Sequence, residues 1–424
     1  MSDDAVMTAL TTTPTGADLR AILDPGRVRA VLQPVVDIAT GAVVGYESLA
    51  RGPVGTALES PAALFAAADR EGLSAALDLA CRRAAIEVAA RHLHPDDALF
   101  VNVEPSAMTF ALERDDPLLS AARPRRVIVE ITERLLCREP AAVLRFVAAA
   151  HERGLYIALD DVGAEEESLA LMPFIRPDII KLDMQLVQSP PTADHGRVAA
   201  AVLAQAEGTG AIILAEGIET ESHIERALGM GASLAQGWHY GRPTDAPVRP
   251  PHRSGPSPDL DVLTAAPAYR GDTPYDVVQQ VRPVRSATRS QLLAISRHLE
   301  GIPASGARHD VVVSAFQEQD RFTEATARRY EALASHCTLV AALGVGMPTS
   351  PAAGVRGAAL DEHDRLRDEW SVIVVGSFYA AALVARAVPG TPATADQPFT
   401  FALTHERALV LAAAATLIER IAAG

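Results

Sequence analysis

Short apolar runs alternate with Ala-, Leu- and Arg-rich stretches between Val28 and Pro243. The runs have the length and β-branched content of strands, and the intervening stretches have the composition of helices. Such alternation predicts a parallel sheet, and about eight runs favour a closed (β/α)8 barrel over an open sheet. The runs are VLQPVVDI, VVGYESLA, LFVNV, VIVEIT, LYIALDD, DIIKLD, AIILAEG and LAQGWHY. The predicted helices include 61–93, 139–153, 193–208 and 220–229, with Gly154 as a C-terminal cap.

The first two runs are separated only by a short turn-forming segment. VLQPVVDI and VVGYESLA flank the residues ATGA. A connection this short joins antiparallel neighbours, because parallel strands need a long crossover. We therefore expect the barrel to begin with an antiparallel pair.

The chain divides into four predicted regions. Residues 1–25 form a loosely held leader, 26–245 the barrel, 246–262 a Pro/Ser/Gly linker, and 263–424 a smaller α/β domain. In the last region, SQLLAISRHLE and EATARRYEALASHCTLVAAL are predicted helices, and VVVSAF, WSVIVVGS and FTFALT are predicted strands. THERALVLAAAATLIERI closes the chain as a helix, with Thr404 as its predicted N-cap.

Composition restricts the possible partners. Of 424 residues, 49% are hydrophobic and 21% charged, which allows a large core and excludes bulk disorder. The net charge of −15 argues against nucleic-acid polymers, but not against a small anion held through metals. Three scattered cysteines without a CxxC motif predict reduced thiols in a cytosol. No run is typical of a transmembrane helix, and MSDDAVMTAL lacks a signal-peptide core, so we expect a cytoplasmic protein without membrane contact.

Polar side chains lie near the ends of most of the apolar runs. Because strand ends converge on one face of a barrel, these side chains should meet. Carboxylate oxygens with one amide oxygen suit Mg²⁺ or Mn²⁺ rather than zinc, and the adjacent Asp160 and Asp161 suit two ions about 4 Å apart. Each acid taken alone is more often a helix cap or a surface ion pair; the joint pattern favours a site. The set is Glu47, Asn102, Glu130, Asp160, Asp161, Lys181, Glu216 and Gln236.

Two members of this set are unique in the chain. Lys181 is the only lysine and Asn102 the only asparagine, whereas every other Lys+Arg residue is arginine. Codon bias with accidental survival is one interpretation. A functional interpretation is that arginine, with its planar and delocalised charge, cannot replace a compact ammonium that orients a water molecule. We place both residues in one active site.

The run YESLAR at 46–51 resembles the signature of the EAL-domain cyclic-di-GMP phosphodiesterases, with Ser48 in place of the signature alanine. The motifs LQPVVD, FVNVEP, VEITER, LDDVG, IIKLD, AEGIET and AQGWHYGRP occupy the expected order over 28–243. The resemblance implies a (β/α)8 barrel with an antiparallel start. It also implies hydrolysis of one 3′–5′ phosphodiester of cyclic-di-GMP to linear pGpG, and a homodimer formed through the barrel.

The resemblance assigns roles to residues that match the family's motifs. Lys181 matches the lysine that positions the attacking water, Glu216 a position that supports the metal–water network, and Glu133 a glutamate that steadies the loop after the Asp pair. The positions matching two Mg²⁺ or Mn²⁺ ions are Glu47, Asn102, Glu130, Asp160 and Asp161. Gln33 and Arg51 match positions that contact the dinucleotide; Gln236 matches a further active-site position, which we include in the predicted substrate set.

One segment departs from the family pattern. Residues 162–169 read VGAEEESL, with Val162 in place of phenylalanine and three successive glutamates, Glu165–Glu167. These charges could repel an anionic substrate or fail to hold Glu133. The alternative to an enzyme is therefore a receptor that binds cyclic-di-GMP without cutting it; a scaffold with a retired site is a third interpretation.

The region from about 265 to 424 resembles the DICT domain, a sensory module found beside cyclic-di-GMP enzymes. The matching segments are FQEQDRFTEATARRYEALA, VRGAALDEHDRLRDEWSVIVVGSFYAAALVAR and FTFALTHERALV. Its sequence shows no metal cluster, no nucleophile–base pair and no phosphate loop. We expect it to regulate the barrel or to bind a signalling partner.

Overall fold

The structure is a computed structural model that describes residues 16–23, 27–103, 116–121, 125–164, 169–247, 269–303, 310–392, 394 and 396–421. Most of the predicted leader and linker, and the three glutamates Glu165–Glu167, lie outside the described residues. Within these ranges, every helix falls short of the length of apolar chain needed to cross a membrane.

Eight strands close into a barrel in chain order, which confirms the predicted fold. β1 runs antiparallel to both of its neighbours, β2 and β8, and the remaining pairs are parallel. The antiparallel start follows from the short turn after β1, as the sequence predicts. The strands are β1 (Arg29–Asp37), β2 (Val43–Arg51), β3 (Ala98–Asn102), β4 (Val127–Thr132), β5 (Tyr156–Val162), β6 (Ile179–Leu182), β7 (Ile212–Ala215) and β8 (Leu234–Gln236).

Helices surround this barrel. They are α1 (Gly16–Leu23), α2 (Pro61–Arg70), α3 (Ser74–His92), α4 (Pro117–Ala121), α5 (Glu133–Arg138), α6 (Pro140–Glu152), α7 (Met172–Ile175), α8 (Met184–Gln188), α9 (Ala193–Thr209) and α10 (Glu221–Gly229). The first of them corrects the predicted leader, because Leu19 and Ile22 are buried against the barrel core. Gly154, just beyond α6, has φ +78° and fits its predicted role in ending that helix.

The barrel interior explains why the polar strand ends converge. A buried apolar layer inside the barrel includes Phe100, Ile128, Ala158, Ile179, Leu214 and Leu234. Side chains along a strand alternate between its two faces, so the residue two positions later points the same way. Those next inward positions are Asn102, Glu130, Asp160, Lys181, Glu216 and Gln236. Each of these six strands, β3 to β8, thus contributes one floor residue and then one polar residue above it.

The rest of the chain forms a seven-stranded mixed sheet in the order β12-β11-β10-β13-β14-β15-β9. Its strands are β9 (Arg285–Thr288), β10 (Val311–Glu318), β11 (Leu339–Val345), β12 (Arg356–Leu360), β13 (Glu369–Val375), β14 (Ala380–Ala387) and β15 (Pro398–Thr404). Its helices are α11 (Pro274–Gln279), α12 (Arg289–Gly301), α13 (Glu324–Ala334) and α14 (Arg407–Ile418).

Two sequence predictions in this region are wrong. The predicted helix through EATARRYEALASHCTLVAAL ends at Ala334, and its last part begins the buried strand β11. A short apolar run without polar alternation does not distinguish a buried strand from a buried helix. Thr404 is not the cap of α14: it ends β15, its hydroxyl accepts from the Glu406 N–H, and Glu406 occupies the cap position.

The two parts of the molecule share one continuous core. Helix α14 packs on its own sheet and also against α6 and α7 of the barrel. Arg356 of β12 donates to the carbonyl oxygens of Cys137 (2.5 Å) and Arg138 (3.0 Å), at the end of α5. Arg145 of α6 donates to the Glu419 carbonyl at 3.1 Å. Apolar packing and hydrogen bonds therefore both join the second sheet to the barrel.

Candidate active site

Lys181 stands at the centre of a buried group of carboxylates at the carboxyl end of the barrel. Its Nζ lies 2.6 Å from Oε1 of Glu130, 2.8 Å from Oδ1 of Asp160 and 2.8 Å from Oε1 of Glu216. Oε1 of Glu47 is 3.9 Å from the same nitrogen. These five side chains come from five different strands, or from the residue directly after one, so the barrel itself assembles the cluster.

Two amide side chains hold the carboxylates in place. Asn102 Nδ2 donates to Oε1 of Glu47 at 3.1 Å and to Oε2 of Glu130 at 2.8 Å. Gln236 Nε2 donates to Oε2 of Glu47 at 2.6 Å and to Oε1 of Gln33 at 3.1 Å. Both carboxylate oxygens of Glu47 thus accept a hydrogen bond, one from Asn102 of β3 and one from Gln236 of β8, and these two bonds fix the orientation of its side chain.

The adjacent carboxylates Asp160 and Asp161 require an irregular backbone. The β5–β6 register shifts between Leu159 and Val162, and Asp161 adopts a left-handed conformation with φ +57°. Regular alternation would send the two side chains to opposite faces, and the bulge removes that restriction. A carboxylate oxygen from each, together with one from Glu216, lies in a group whose members are all within 4.8 Å of one another.

Burial dominates the electrostatics of the cluster. Desolvation raises the pKa of Glu130 well above its ordinary value, and the neighbouring Glu47 charge raises it further. Desolvation raises the pKa of Glu216 to about 8, although Lys181 opposes this rise. Burial alone would lower the pKa of Lys181, but Asp160, Glu130 and Glu216 together raise it well above its ordinary value. The lysine is therefore an ammonium that can donate hydrogen bonds and cannot act as a base.

The donor set fits divalent cations. Five carboxylates and one ammonium leave four uncompensated negative charges when all are ionised, which is the charge that two divalent ions carry. Oε1 of Glu130 and Oδ1 of Asp160 both face the one ammonium of Lys181, so a single positive charge is shared among several carboxylates. Oxygen ligands of this kind, free of sulfur and imidazole, suit Mg²⁺, Mn²⁺ or Ca²⁺.

Glu133 lies outside the cluster and contacts the segment that follows the Asp pair. It is fully buried at the start of α5, and its Oε2 accepts from the Gly163 N–H at 3.2 Å. Gly163 has φ +98°, and a Cβ there would lie 2.3 Å from Cδ1 of Leu186. Only glycine fits this position. Glu133 therefore accepts a hydrogen bond from a backbone segment whose conformation is already restricted.

Among the predicted substrate residues, Gln33 and Gln236 are buried and Arg51 is half-buried. Gln33 Nε2 donates to the Gly241 carbonyl at 3.1 Å, which ties β1 to the segment after β8. Arg51 is half-buried at the end of β2, where it donates to the Ala50 carbonyl at 2.8 Å and forms no ion pair among the described residues. Its guanidinium therefore remains available for an anionic group near Glu47.

Sequence reasoning missed a stacked pair that follows β8. The Arg242 guanidinium lies 3.7 Å from the centroid of the Trp238 ring, and Trp238 is 54% exposed. An exposed indole stabilised by a cation is a suitable surface for stacking a planar base. The aromatic residue two positions after Gln236 was the available signal.

Comparisons with known proteins identify the family of the chain. The sequence profile of the EAL domain matches residues 17–243, and that of the DICT domain, described as "Sensory domain in DIguanylate Cyclases and Two-component system", matches 276–387. The chain is 31% identical over 218 residues to the "Probable cyclic di-GMP phosphodiesterase PdeB" of Escherichia coli, which covers 50% of this chain and 41% of PdeB.

A second curated relative has a related description. The chain is 29% identical over 249 residues to the "Cyclic di-GMP phosphodiesterase RocR" of Pseudomonas aeruginosa, covering 54% of this chain and 61% of RocR. The chain thus spans less than two thirds of the length of both relatives, 41% of PdeB and 61% of RocR. Among solved structures, a calcium/cyclic di-GMP complex of BlrP1 from Klebsiella pneumoniae is 28% identical, with a TM-score of 0.46, covering 51% of this chain and 56% of that one.

Proposed function

Because the chain belongs to the EAL domain family, we propose that it is a metal-dependent phosphodiesterase that hydrolyses cyclic-di-GMP to linear pGpG. The observation that carries the proposal is the single ammonium of Lys181 among four buried or half-buried carboxylates, with the exposed carboxylate of Asp161 beside them. A buried cluster with this excess of negative charge is costly unless cations share it.

The side chains that would hold two Mg²⁺ or Mn²⁺ ions are Glu47, Asn102, Glu130, Asp160 and Asp161. Such ions, when bound, would neutralise phosphate charge and acidify a water molecule. Asn102 would have to turn its amide so that the oxygen faces an ion, because its nitrogen now points to two carboxylates. The remaining side chains of the site would orient the water molecule, contact the dinucleotide or hold the neighbouring backbone.

Lys181 would orient the attacking water by donating a hydrogen bond to its oxygen. Glu216, on the other side of the ammonium, would keep that donor aimed. The water oxygen bonds to phosphorus, the bond from phosphorus to the 3′ oxygen breaks, and that oxygen takes up a proton. Gln33, Arg51 and Gln236 would contact the dinucleotide, and Glu133 would hold the segment after the Asp pair through Gly163.

We further propose the division predicted from the sequence: barrel 26–245, linker 246–262 and a sensory domain 263–424 that regulates turnover. The interface of α14 with α6 and α7 supports such control, because it connects the second sheet to the helices that precede and follow β5, the strand of Asp160 and Asp161. A cytoplasmic homodimer formed through the barrel is part of the same proposal.

A chromatographic assay of the purified full chain tests the function. We expect pGpG to form from cyclic-di-GMP with Mg²⁺ or Mn²⁺ and not with EDTA. A Lys181→Ala variant assayed beside it controls for contaminating hydrolase. Intact substrate in every reaction, with binding still detected, would instead establish the receptor alternative that the acidic segment Glu165–Glu167 favours.

A further inference from the structure

A cleft of about 120 Å³ lies where the barrel meets the second domain. One wall is apolar and consists of Leu169, Met172 and Pro173, at and just before α7. The opposite wall comes from the turn between β13 and β14, where Phe378 is 72% exposed. The cleft is thus formed by both domains and exists only when they are docked.

Arg407, the first residue of α14, lines this cleft and has no counter-ion among the described residues. Its Nη1 donates to the Gly376 carbonyl at 2.8 Å, and no carboxylate lies within ion-pair distance in the described part of the chain. Burial lowers the pKa of its guanidinium. The neighbouring Glu406 does not neutralise it, because that carboxylate is bonded to Tyr269 and Arg282. The positive end of the 12-residue helix adds to the field.

Gln205 supplies a second unsatisfied donor from the opposite domain. It lies on α9, lines the same cleft, and is only 8% exposed. Its Nε2 has no hydrogen-bond partner among the described residues. A buried amide nitrogen without a partner costs free energy and is uncommon in native proteins. Its presence in the same cleft as an arginine without a counter-ion among the described residues points to an acceptor that belongs in the cleft.

We propose that this interdomain cleft binds a small carboxylate with a short apolar chain. The carboxylate would accept from the guanidinium of Arg407 and the amide of Gln205, and the chain would pack against Leu169, Met172 and Phe378. Arginine recognises carboxylates through paired, charge-assisted hydrogen bonds. The volume equals that of about four water molecules, which limits the ligand to a few carbon atoms.

Such a ligand would stabilise the docked arrangement, because it contacts both domains at once. Leu169 and Met172 are on the segment that leads away from Asp160 and Asp161, so docking and the site are linked through one stretch of chain. A ligand shifts an equilibrium only by its different affinity for the two states. The effect on turnover rests on the proposed function, whereas binding itself does not.

Calorimetric titration of the full chain with butyrate tests the proposal, with butyramide as the uncharged isostere and inorganic phosphate as a second anion. We expect saturable butyrate binding, and binding of butyramide and phosphate weaker by roughly tenfold. Arg407→Gln should weaken butyrate binding about tenfold, and Gln205→Leu about threefold to tenfold. Arg328→Gln, on an exposed side chain of α13, is the matched control and should bind as the parent does.

Equal affinity for butyrate and butyramide would overturn the proposal, as would unchanged affinity in a folded Arg407→Gln. Absence of saturable butyrate binding at about 10 mM would also overturn it. Because Arg407 also donates a hydrogen bond to the Gly376 carbonyl, the unfolding midpoint of Arg407→Gln is compared with that of the parent protein. If Arg407→Gln fails to fold, Gln205→Leu provides the test. Butyrate binding without pGpG formation would reject the proposed function and leave the cleft assignment intact.

Discussion

Nζ of Lys181 lies 2.6 Å from Oε1 of Glu130, and both side chains are 1% exposed. Neither group would be buried alone, since an isolated charge in the interior is expensive. Each therefore depends on the other, and the remaining carboxylates around the ammonium leave the cluster with excess negative charge. This contact ties the stability of the barrel mouth to the residues that we assign to catalysis.

Replacing Lys181 by alanine should reduce turnover of cyclic-di-GMP by about a thousandfold, because a positioned donor to the attacking water is lost. Nucleotide affinity should change by less than about threefold, since we assign binding to Gln33, Arg51 and Gln236. Product chromatography and calorimetry measure the two quantities. Arg91→Ala, on an exposed arginine of α3, is the control. Hydrolysis that persists in Lys181→Ala would refute the assignment.

The side-chain amide of Asn102 donates a hydrogen bond to each of two carboxylates, Glu47 and Glu130. Asn102→Asp replaces a donor by a third negative charge, so the metal-free protein should lose about 1–3 kcal/mol of unfolding free energy. Mn²⁺ should recover much of that loss, because the added carboxylate is a ligand. Thermal unfolding with EDTA and with Mn²⁺ measures this. An equal loss in both conditions would contradict a metal site at Asn102.

The convergence of the polar residues was predictable because it rests on strand periodicity. Glu130 follows Ile128 by two residues and Lys181 follows Ile179 by two, so alternation places each above the apolar floor. For Asp161, the sequence predicted only that the backbone must bend at the end of β5. The left-handed φ of Asp161 and the register shift, which let its side chain reach the site, depend on the pairing with β6.

Features that depend on distant packing could not be predicted. Arg407 and Gln205 are more than 200 positions apart in the chain, and neither residue type nor spacing indicates their shared cleft. The strand β11 was misread for a related reason: LVAALGV is apolar on both faces because helices cover both sides of its sheet.

Gly163→Ala should destabilise the chain by about 2–3 kcal/mol and reduce turnover. The added Cβ meets Leu186 at 2.3 Å and φ is +98°, so strain and overlap combine beside the Glu133 contact. Gly154→Ala is the matched control: its φ is +78°, but a Cβ there meets nothing within 4 Å, so about 1 kcal/mol is expected. Chemical denaturation measures the loss of unfolding free energy in both variants. An equal loss in Gly163→Ala and Gly154→Ala would show that the overlap with Leu186 is relieved.

Arg356→Met should loosen the second domain from the barrel. The side chain donates to the carbonyls of Cys137 and Arg138, at the end of the helix that begins with Glu133. We expect faster amide hydrogen exchange in α5 and a change in turnover of about twofold to fivefold, because charge-assisted bonds at this site contribute roughly 1–3 kcal/mol. Exchange unchanged in α5 would show that the apolar contacts of α14 alone fix the interface. Arg328→Met is the control.

Asp310→Asn should stabilise the protein at neutral pH and have little effect in acid. Burial raises the pKa of Asp310 from 3.8 to about 6, and its carboxylate has no ion pair or hydrogen bond among the described residues. The folded state therefore holds a proton that the unfolded chain releases, so the contribution of Asp310 is fully present below pH 3.8 and is lost as the pH rises through 6. Because the side chain is only partly buried, we expect a gain of about 1 kcal/mol for the neutral amide. Denaturation of both proteins from acid to neutral pH should show the difference growing up to about pH 6 and constant above it; a difference independent of pH would mean that Asp310 titrates normally.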